Sequence, residues 1–354
     1  MRDKNKASHN LLGKTLHNDW VVTGQCENVT SRTGGIYSAY YEVSKGNQRG
    51  FLKAFDYSGA DLAGASSDEM SKINTAYNYE KHVLETCTRK GIKNVVRFID
   101  AGEIEVPEIE KYPKVVYLIL EQGIQSCKAL LADPNVDWSW KLISLHQVAS
   151  GLNQLHRAEI AHQDMKPSNV VTMQDGVSRI TDFGSASYKT HPINPPAFLN
   201  LYQGTREYAP PELLYGGGIG NGQNPFESLQ RPCDAYLLGS MIVFYFSNIS
   251  MTALIQNNLA PQWSWNQAAN QGNYSVVKPY VSMAFAKAME DFAEEMKIYP
   301  FHSELVDSVR YLCNPDPYQR GHPKGLHLKI GQHSLERFVS ILARLVFAYT
   351  NRAA

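Results

Sequence analysis

The chain has 354 residues, which is enough for one large or two small hydrophobic cores. Hydrophobic residues make up 43% and charged residues 19%, a balance that excludes a disordered chain. Lysine plus arginine and aspartate plus glutamate both number 34, so the net charge is zero, and no basic run indicates a nucleic-acid-binding surface.

Strands dominate the first 120 residues. Runs of β-branched and aromatic residues, separated by Gly, Asn and Ser, predict strands at residues 20–23, 36–43, 50–55, 95–101 and 115–120. Between the third and fourth of these, Ser66 and Glu69 form a capping box at the start of a predicted helix. That helix places five residues near one face: Ile73, Tyr77, Glu80, Leu84 and Cys87.

From about residue 122 the pattern becomes helical. Leucines and other apolar residues at helical spacing predict a helix over residues 140–157. Two short strands, 170–172 and 178–181, flank a Gln-Asp-Gly turn, and the chain after Pro211 is mainly helical, ending in a helix over 335–351. A strand-rich part joined to a helix-rich part is an α+β arrangement, and their junction is a common place for a ligand cleft.

Three features of the chain concern its location. The five cysteines are scattered without a CxxC pair, which argues against a disulfide framework or a zinc site and predicts reduced thiols. The N-terminus has no apolar core of signal-peptide length, so we predict a cytoplasmic protein. Residues 235–255 carry no charge, but small and polar residues interrupt the run, and we predict a buried core helix rather than a membrane segment.

Two loops carry the residues suited to phosphoryl transfer, a reaction that asks the protein to align the reactants and neutralise charge on oxygen. The first reads His-Gln-Asp-Met-Lys-Pro-Ser-Asn from His162, and the second is Asp182-Phe183-Gly184. Asp164 can accept the proton of an attacking hydroxyl, and Lys166 can lie against the transferred phosphoryl group. Asn169 and Asp182 supply hard oxygen ligands suited to Mg²⁺. Each residue alone is an ordinary turn former, so the prediction rests on the ordered set.

The two loops resemble the catalytic loop and the metal-binding loop of the protein kinase family. The resemblance extends over residues 20–325: Lys53 matches the phosphate-binding lysine, Glu80 its ion-pair partner, and Leu120-Glu121-Gln122-Gly123 the hinge that meets the adenine. The stretch from Gly204 to Glu212 resembles the end of the activation segment, and Arg320 the partner of Glu212.

The resemblance implies a bilobal protein-kinase-like fold, with a small antiparallel β-rich N-lobe containing one main helix and a larger, mostly α-helical C-lobe. We place an N-terminal extension at 1–19, the N-lobe at 20–121 and the C-lobe at 122–354, with the activation segment at 182–212. The implied cofactors are ATP and Mg²⁺. The resemblance implies that Asp164 and Lys166 carry catalysis and that Asn169 and Asp182 bind the metal. It implies that six residues bind the nucleotide: Lys53, Glu80, Ile36, Glu121, Gly123 and Val171.

Three departures from the family pattern bear on function. Gly34 and Gly35 match only the end of the phosphate-covering glycine loop, because Val29 and Ser31 stand near the earlier glycines. Phe51 stands where the family usually has a small alanine against the adenine. Gln163 replaces an arginine that reads a phosphate in many relatives, so we expect activity that does not depend on phosphorylation acting through this position.

The leading hypothesis is a serine/threonine protein kinase whose partners are a nucleotide and a protein substrate that the sequence does not identify. Two alternatives stay open. Aminoglycoside- or choline-type kinases share the catalytic and metal loops but generally lack the Gly204–Glu212 type of segment and the distal arginine. A pseudokinase scaffold would fit Phe51 and the poor glycine loop, although such proteins often lack the equivalents of Lys53, Asp164 or Asp182.

Overall fold

A six-stranded antiparallel sheet forms the first part of the chain in the computed structural model. The structure describes residues 5–26, 32–33, 36–57, 67–109, 112–189, 204–216, 226–328 and 331–350. The strands of this sheet are β1 (Val21–Gln25), β2 (Arg32–Thr33), β3 (Ile36–Lys45), β4 (Gln48–Phe55), β5 (Phe98–Glu105) and β6 (Lys114–Glu121). They run in the order β1-β3-β4-β6-β5, with β2 paired to β3.

One long helix, α1 (Ser67–Arg89), lies between β4 and β5 in the chain and packs against β5 and β6. Its amphipathic face buries Ile73, Tyr77 and Leu84, as the helical spacing predicts. The predicted capping residue Ser66, together with the glycine loop from Val29 to Gly35 apart from β2, lies outside the described residues.

The two faces of the sheet contact different parts of the protein, because successive strand residues point to opposite sides. Leu52 and Ile119 face a cluster that contains Leu11 and Leu16 from the N-terminal segment. Their neighbours along β4 and β6 point to the other side, where α1 and the second part of the chain lie; these are Lys53, Leu118 and Leu120. The segment before residue 20 therefore covers the outer face of the sheet.

The second part of the chain is mainly helical. Its helices are α2 (Cys127–Leu130), α3 (Trp138–Arg157), α4 (Pro211–Leu214), α5 (Arg231–Ser247), α6 (Met251–Asn258), α7 (Tyr274–Met296), α8 (His302–Leu312), α9 (Pro323–Leu328) and α10 (Glu336–Thr350). Its short strands are β7 (Gln125–Ser126), β8 (Ile160–Ala161), β9 (Val170–Thr172), β10 (Ser178–Ile180) and β11 (Ser187–Tyr188). The predicted α+β class and the bilobal arrangement, a β-rich lobe followed by a helical lobe, are confirmed.

The uncharged run 235–255 does not form the single helix that its composition predicts. Helix α5 ends at Ser247, Asn248 adopts a left-handed conformation with φ of 54°, and α6 begins after Ser250, whose hydroxyl caps it. Asparagine tolerates this conformation, and a serine N-cap starts a new helix. Among the described residues no single helix has the length and composition of a membrane span; α5 extended to Phe226 and α6 reach them only as a pair bent by 82°.

All five cysteines are free thiols in the structure. Four of the five are buried, and Cys26 is partly exposed at the end of β1. Burial raises the pKa of the Cys87 thiol to about 12, so that group stays protonated and packs as a small apolar side chain.

Candidate active site

Lys53 contacts one carboxylate of its own lobe and one from the helical lobe. Its Nζ lies 2.9 Å from both carboxylate oxygens of Glu80 on α1 and 2.9 Å from Oδ1 of Asp182. Burial alone would lower the pKa of Lys53, but the charges of Asp182 and Glu80 raise it well above its ordinary value. Lys53 therefore carries a fixed positive charge at the cleft, and the pairing with Glu80 expected from the buried lysine is present.

The catalytic loop holds Asp164 by hydrogen bonds to both carboxylate oxygens. Oδ1 accepts from the backbone N–H of Thr205 at 2.7 Å, and Oδ2 accepts from Nζ of Lys166 at 2.7 Å. Nζ of Lys166 also donates to the hydroxyl of Thr205 at 2.6 Å. These three residues form one hydrogen-bonded group, in which Thr205 comes from the far end of the activation segment.

Asp234 holds the backbone of the catalytic loop in place. The buried carboxylate, at the start of α5, accepts the backbone N–H of His162 at 2.8 Å and that of Gln163 at 2.7 Å, and it hydrogen-bonds to Nε2 of His156. Gln163 adopts φ of 61°, a left-handed conformation that costs a non-glycine residue about 1–3 kcal/mol. The two charge-assisted hydrogen bonds offset this cost and set the direction of Asp164.

Asn169 and Asp182 have the donor atoms that a hard divalent cation requires. Nδ2 of Asn169 donates to the backbone oxygen of Asp164 at 2.8 Å and to its Oδ2 at 3.2 Å. Because both partners only accept, the amide nitrogen must face Asp164, which leaves the amide oxygen for a cation. Among the described residues no cluster of three or more His, Cys, Asp or Glu could hold a metal alone. The site therefore suits Mg²⁺, which commonly binds through one or two carboxylates together with nucleotide phosphates.

The predicted hinge residues lie at the end of β6. Glu121 pairs through its side chain with Arg179 and with Arg97, whose Nη2 is 3.0 Å away. Burial raises the pKa of Glu121, but these two arginines lower it below its ordinary value overall. A Cβ atom built on Gly123 would stand 2.9 Å from Cβ of Val171, so the hinge backbone packs closely on that side chain. The structure thus brings Gly123 and Val171 together.

The sheet face that carries Lys53 also carries an aromatic pair. Phe51 pairs across the sheet with Leu120 and lies on the same face of β4 as Lys53. Its ring stacks on Tyr40 of β3, with ring centroids 5.4 Å apart and an interplanar angle of 23°. Two aromatic rings therefore stand where the resemblance implies a small residue next to the base.

The strand register does not bring Ile36 to this group. Glu42 is the partner of Phe51, and Ile36 lies six residues away along β3, roughly 20 Å in an extended strand. The tight turn between Lys45 and Gln48 sets this register. The positions of the glycines in the sequence do not determine it. Tyr40 therefore lies closer to Phe51 than Ile36 does along β3, and the role of Ile36 in nucleotide binding stays a prediction.

Gln163 contacts the activation segment directly. Its Nε2 donates to the backbone oxygen of Ser185 at 3.3 Å and to the hydroxyl of Ser187. The neutral side chain thus meets neutral acceptors. Of the predicted segment, residues 190–203 lie outside the described residues, including Thr190, Tyr202 and the stretch from His191 to Leu199.

Glu212 and Arg320 form the predicted pair in the helical lobe. Nη1 of Arg320 lies 2.7 Å from Oε1 of Glu212, and Nη2 lies 2.9 Å from Oε2, with both residues buried. Nη1 also donates to the backbone oxygen of Pro232, in the first turn of α5. The pair therefore joins the end of the activation segment to the helix that carries Asp234.

Comparison with known sequences identifies the family. The sequence pattern of the protein kinase domain matches residues 64–327, which is well over half of the chain. The chain belongs to the protein kinase family.

The similar curated proteins include serine/threonine-protein kinases. Serine/threonine-protein kinase PTK2 of Candida glabrata is 34% identical over 161 residues, which cover 39% of this chain and 20% of that protein. The kinase PTK2/STK2 of Saccharomyces cerevisiae is 31% identical over 140 residues, 37% of this chain and 17% of that protein. The probable cyclin-dependent kinase 9 of Caenorhabditis elegans is 36% identical over 105 residues, 28% of this chain and 22% of that protein. The match thus spans about a fifth of the length of these relatives.

Proposed function

We propose that this protein is a serine/threonine protein kinase that transfers the γ-phosphoryl group of Mg-ATP to a hydroxyl of a protein substrate. The observation that carries this proposal is the hydrogen-bonded group of Asp164, Lys166 and Thr205, placed in the same cleft as the Lys53–Glu80–Asp182 cluster. The relatives named serine/threonine kinases support a protein hydroxyl over a small molecule as the acceptor. A cytoplasmic location stays a prediction.

The chain's own residues divide the work of the reaction. Asp164, fixed by Thr205 and Lys166, takes the proton of the attacking hydroxyl as the hydroxyl oxygen bonds to the γ-phosphorus. The bond between the γ-phosphorus and the β–γ bridging oxygen breaks, and ADP leaves. Lys166 places a positive charge beside the transferred group, and Lys53, braced by Glu80, holds the nucleotide phosphates. Asp182 and the amide oxygen of Asn169 would hold Mg²⁺, which neutralises charge on the phosphate oxygens when bound.

Phosphate transfer to a generic protein substrate tests this function. Wild type incubated with Mg-ATP should incorporate phosphate, and Asp164→Ala should lose nearly all of this activity because it removes the proton acceptor. A surface variant with the same loss of charge, Asp307→Ala, should behave as wild type. Its carboxylate is half exposed on α8, and its ionic partner among the described residues is Arg310. Equal incorporation by wild type and Asp164→Ala would reject the catalytic assignment.

The Tyr40–Phe51 stack favours a second candidate, a pseudokinase scaffold that binds nucleotide weakly. The stack also makes a specific prediction for the kinase. Phe51→Ala should tighten Mg-ATP binding about tenfold, equivalent to about 1.4 kcal/mol, because it removes a ring from the space next to the base. Titration calorimetry on both proteins measures this change.

The control for Phe51→Ala is Phe347→Ala, which removes a ring that is 73% exposed on α10 and should leave binding unchanged. Weaker binding by Phe51→Ala would contradict the prediction and would show that the base stacks on the ring instead.

A further inference from the structure

Strand β11, which follows Asp182 in the activation segment, presents one backbone donor away from its partner strand. Ser187 and Tyr188 of β11 pair with Ala161 and Ile160 of β8, and the backbone N–H of Lys189 donates to the oxygen of Glu159 at 3.0 Å. Alternate N–H groups of a strand point to opposite edges. The N–H of Tyr188 therefore points away from β8 and needs another acceptor.

The acceptor comes from helix α1. The N–H of Tyr188 donates to the hydroxyl oxygen of Tyr79 at 2.7 Å. Tyr79 is buried, with 4% of its surface exposed, and it immediately precedes Glu80, the partner of Lys53. One turn further along the same helix, the ring of His82 stacks on the ring of Tyr188 at 5.8 Å. Helix α1 thus contacts both the backbone and the ring of Tyr188.

The catalytic loop also contacts the segment around β11. Gln163 donates to the backbone oxygen of Ser185 and to the hydroxyl of Ser187. Gln163 and Tyr79 are both uncharged hydrogen-bonding side chains, so neither contact requires an anion on the segment. Between them they fix the segment that begins at Asp182, while α1 fixes Glu80.

We propose that Tyr79 is a positioning residue, whose hydroxyl ties β11 to α1 and so keeps Glu80 and the segment after Asp182 in their working arrangement without a phosphate group. The residue acts through α1 and β11. This inference rests on the proposed kinase activity.

Tyr79→Phe tests the proposal, because it removes the acceptor oxygen and keeps the ring. We expect kcat to fall about five- to tenfold, the effect of roughly one net hydrogen bond on a two-state arrangement, with KM for ATP changed less than about twofold. Hydrogen exchange at the Tyr188 amide should become about tenfold faster. The matched control is Tyr77→Phe on the same helix, whose hydroxyl makes no hydrogen bond within the described part of the chain, and it should match wild type in all three measurements.

Ser187→Ala gives an independent measurement from the Gln163 side, in case Tyr79→Phe folds poorly. It should lower kcat about threefold at unchanged KM for ATP, since Gln163 keeps its bond to Ser185. An unchanged kcat in a folded Tyr79→Phe protein, whatever the exchange rates, would overturn the positioning role. A wild type that transfers no phosphate would instead reject the kinase activity itself, and the Tyr188 exchange rate would still decide whether Tyr79 holds β11.

Discussion

Asp182→Asn should reduce phosphoryl transfer about a thousandfold, equivalent to about 4 kcal/mol of transition-state stabilisation, while the protein stays folded. The change keeps the shape of the side chain and removes the negative charge that would hold the metal. Lys53 keeps its 2.9 Å contacts with Glu80, so the link between the sheet and α1 survives in the variant. Initial rates at saturating Mg-ATP measure the loss, and thermal unfolding checks the fold.

Asp307→Asn is the matched control for Asp182→Asn, because it makes the same change at a half-exposed carboxylate on α8. It should retain wild-type activity. A loss of less than about tenfold in Asp182→Asn, with the control unchanged, would contradict the assignment of Asp182 as a metal ligand.

Arg320→Met should lower the free energy of unfolding by about 3–5 kcal/mol, because it leaves the carboxylate of Glu212 buried without its partner. Arg320 is fully buried and Glu212 is nearly so, and the variant also removes the contact with Pro232 in the first turn of α5. Since Asp234 lies in that same turn, we expect the catalytic loop to lose order with the pair. Urea unfolding measures the change.

Two further variants make the Arg320 prediction specific. Arg310→Met removes an exposed pair on α8 and should cost less than about 1 kcal/mol. Adding Glu212→Gln to Arg320→Met should recover part of the loss, because it removes the uncompensated buried charge. A small effect of Arg320→Met, similar to that of Arg310→Met, would show that Glu212 is not held by this pair.

Local chemistry made part of the candidate site predictable from the sequence. Asp164, Lys166 and Asn169 lie within six residues of one another, so their spacing alone places them in one loop. Lys53 and Glu80 could be paired because a buried lysine requires a carboxylate and the next helix supplies one. Arg320 and Glu212 followed from the family resemblance, since the two residues are far apart in the chain.

Other features of the site depend on tertiary structure. The position of Tyr40 beside Phe51 depends on the register of β3 and β4, which the local sequence does not specify. The break between α5 and α6 falls in a run without charge, where hydrophobicity indicates burial but not the direction of the chain. The contact between Tyr79 and Tyr188 joins residues 109 positions apart, and nothing in either local sequence marks it.

Hydrogen bonds and ion pairs join the described residues of the cleft. Asp164 meets Thr205, Lys53 meets both Glu80 and Asp182, and β11 is held by Gln163 and Tyr79. Each contact uses groups that the unmodified chain already has. The glutamine in place of the usual arginine is thus one part of a segment held by neutral hydrogen bonds.

Phosphate transfer by phosphatase-treated wild type tests the central claim most directly. The protein is treated, separated from the phosphatase, and incubated with labelled Mg-ATP and a generic protein substrate in short single-turnover reactions, followed by phosphoamino-acid analysis. We predict phosphoserine or phosphothreonine at a rate within about twofold of untreated protein. Activity that disappears on treatment and returns when one segment residue is phosphorylated, or the absence of any transfer, would contradict the account.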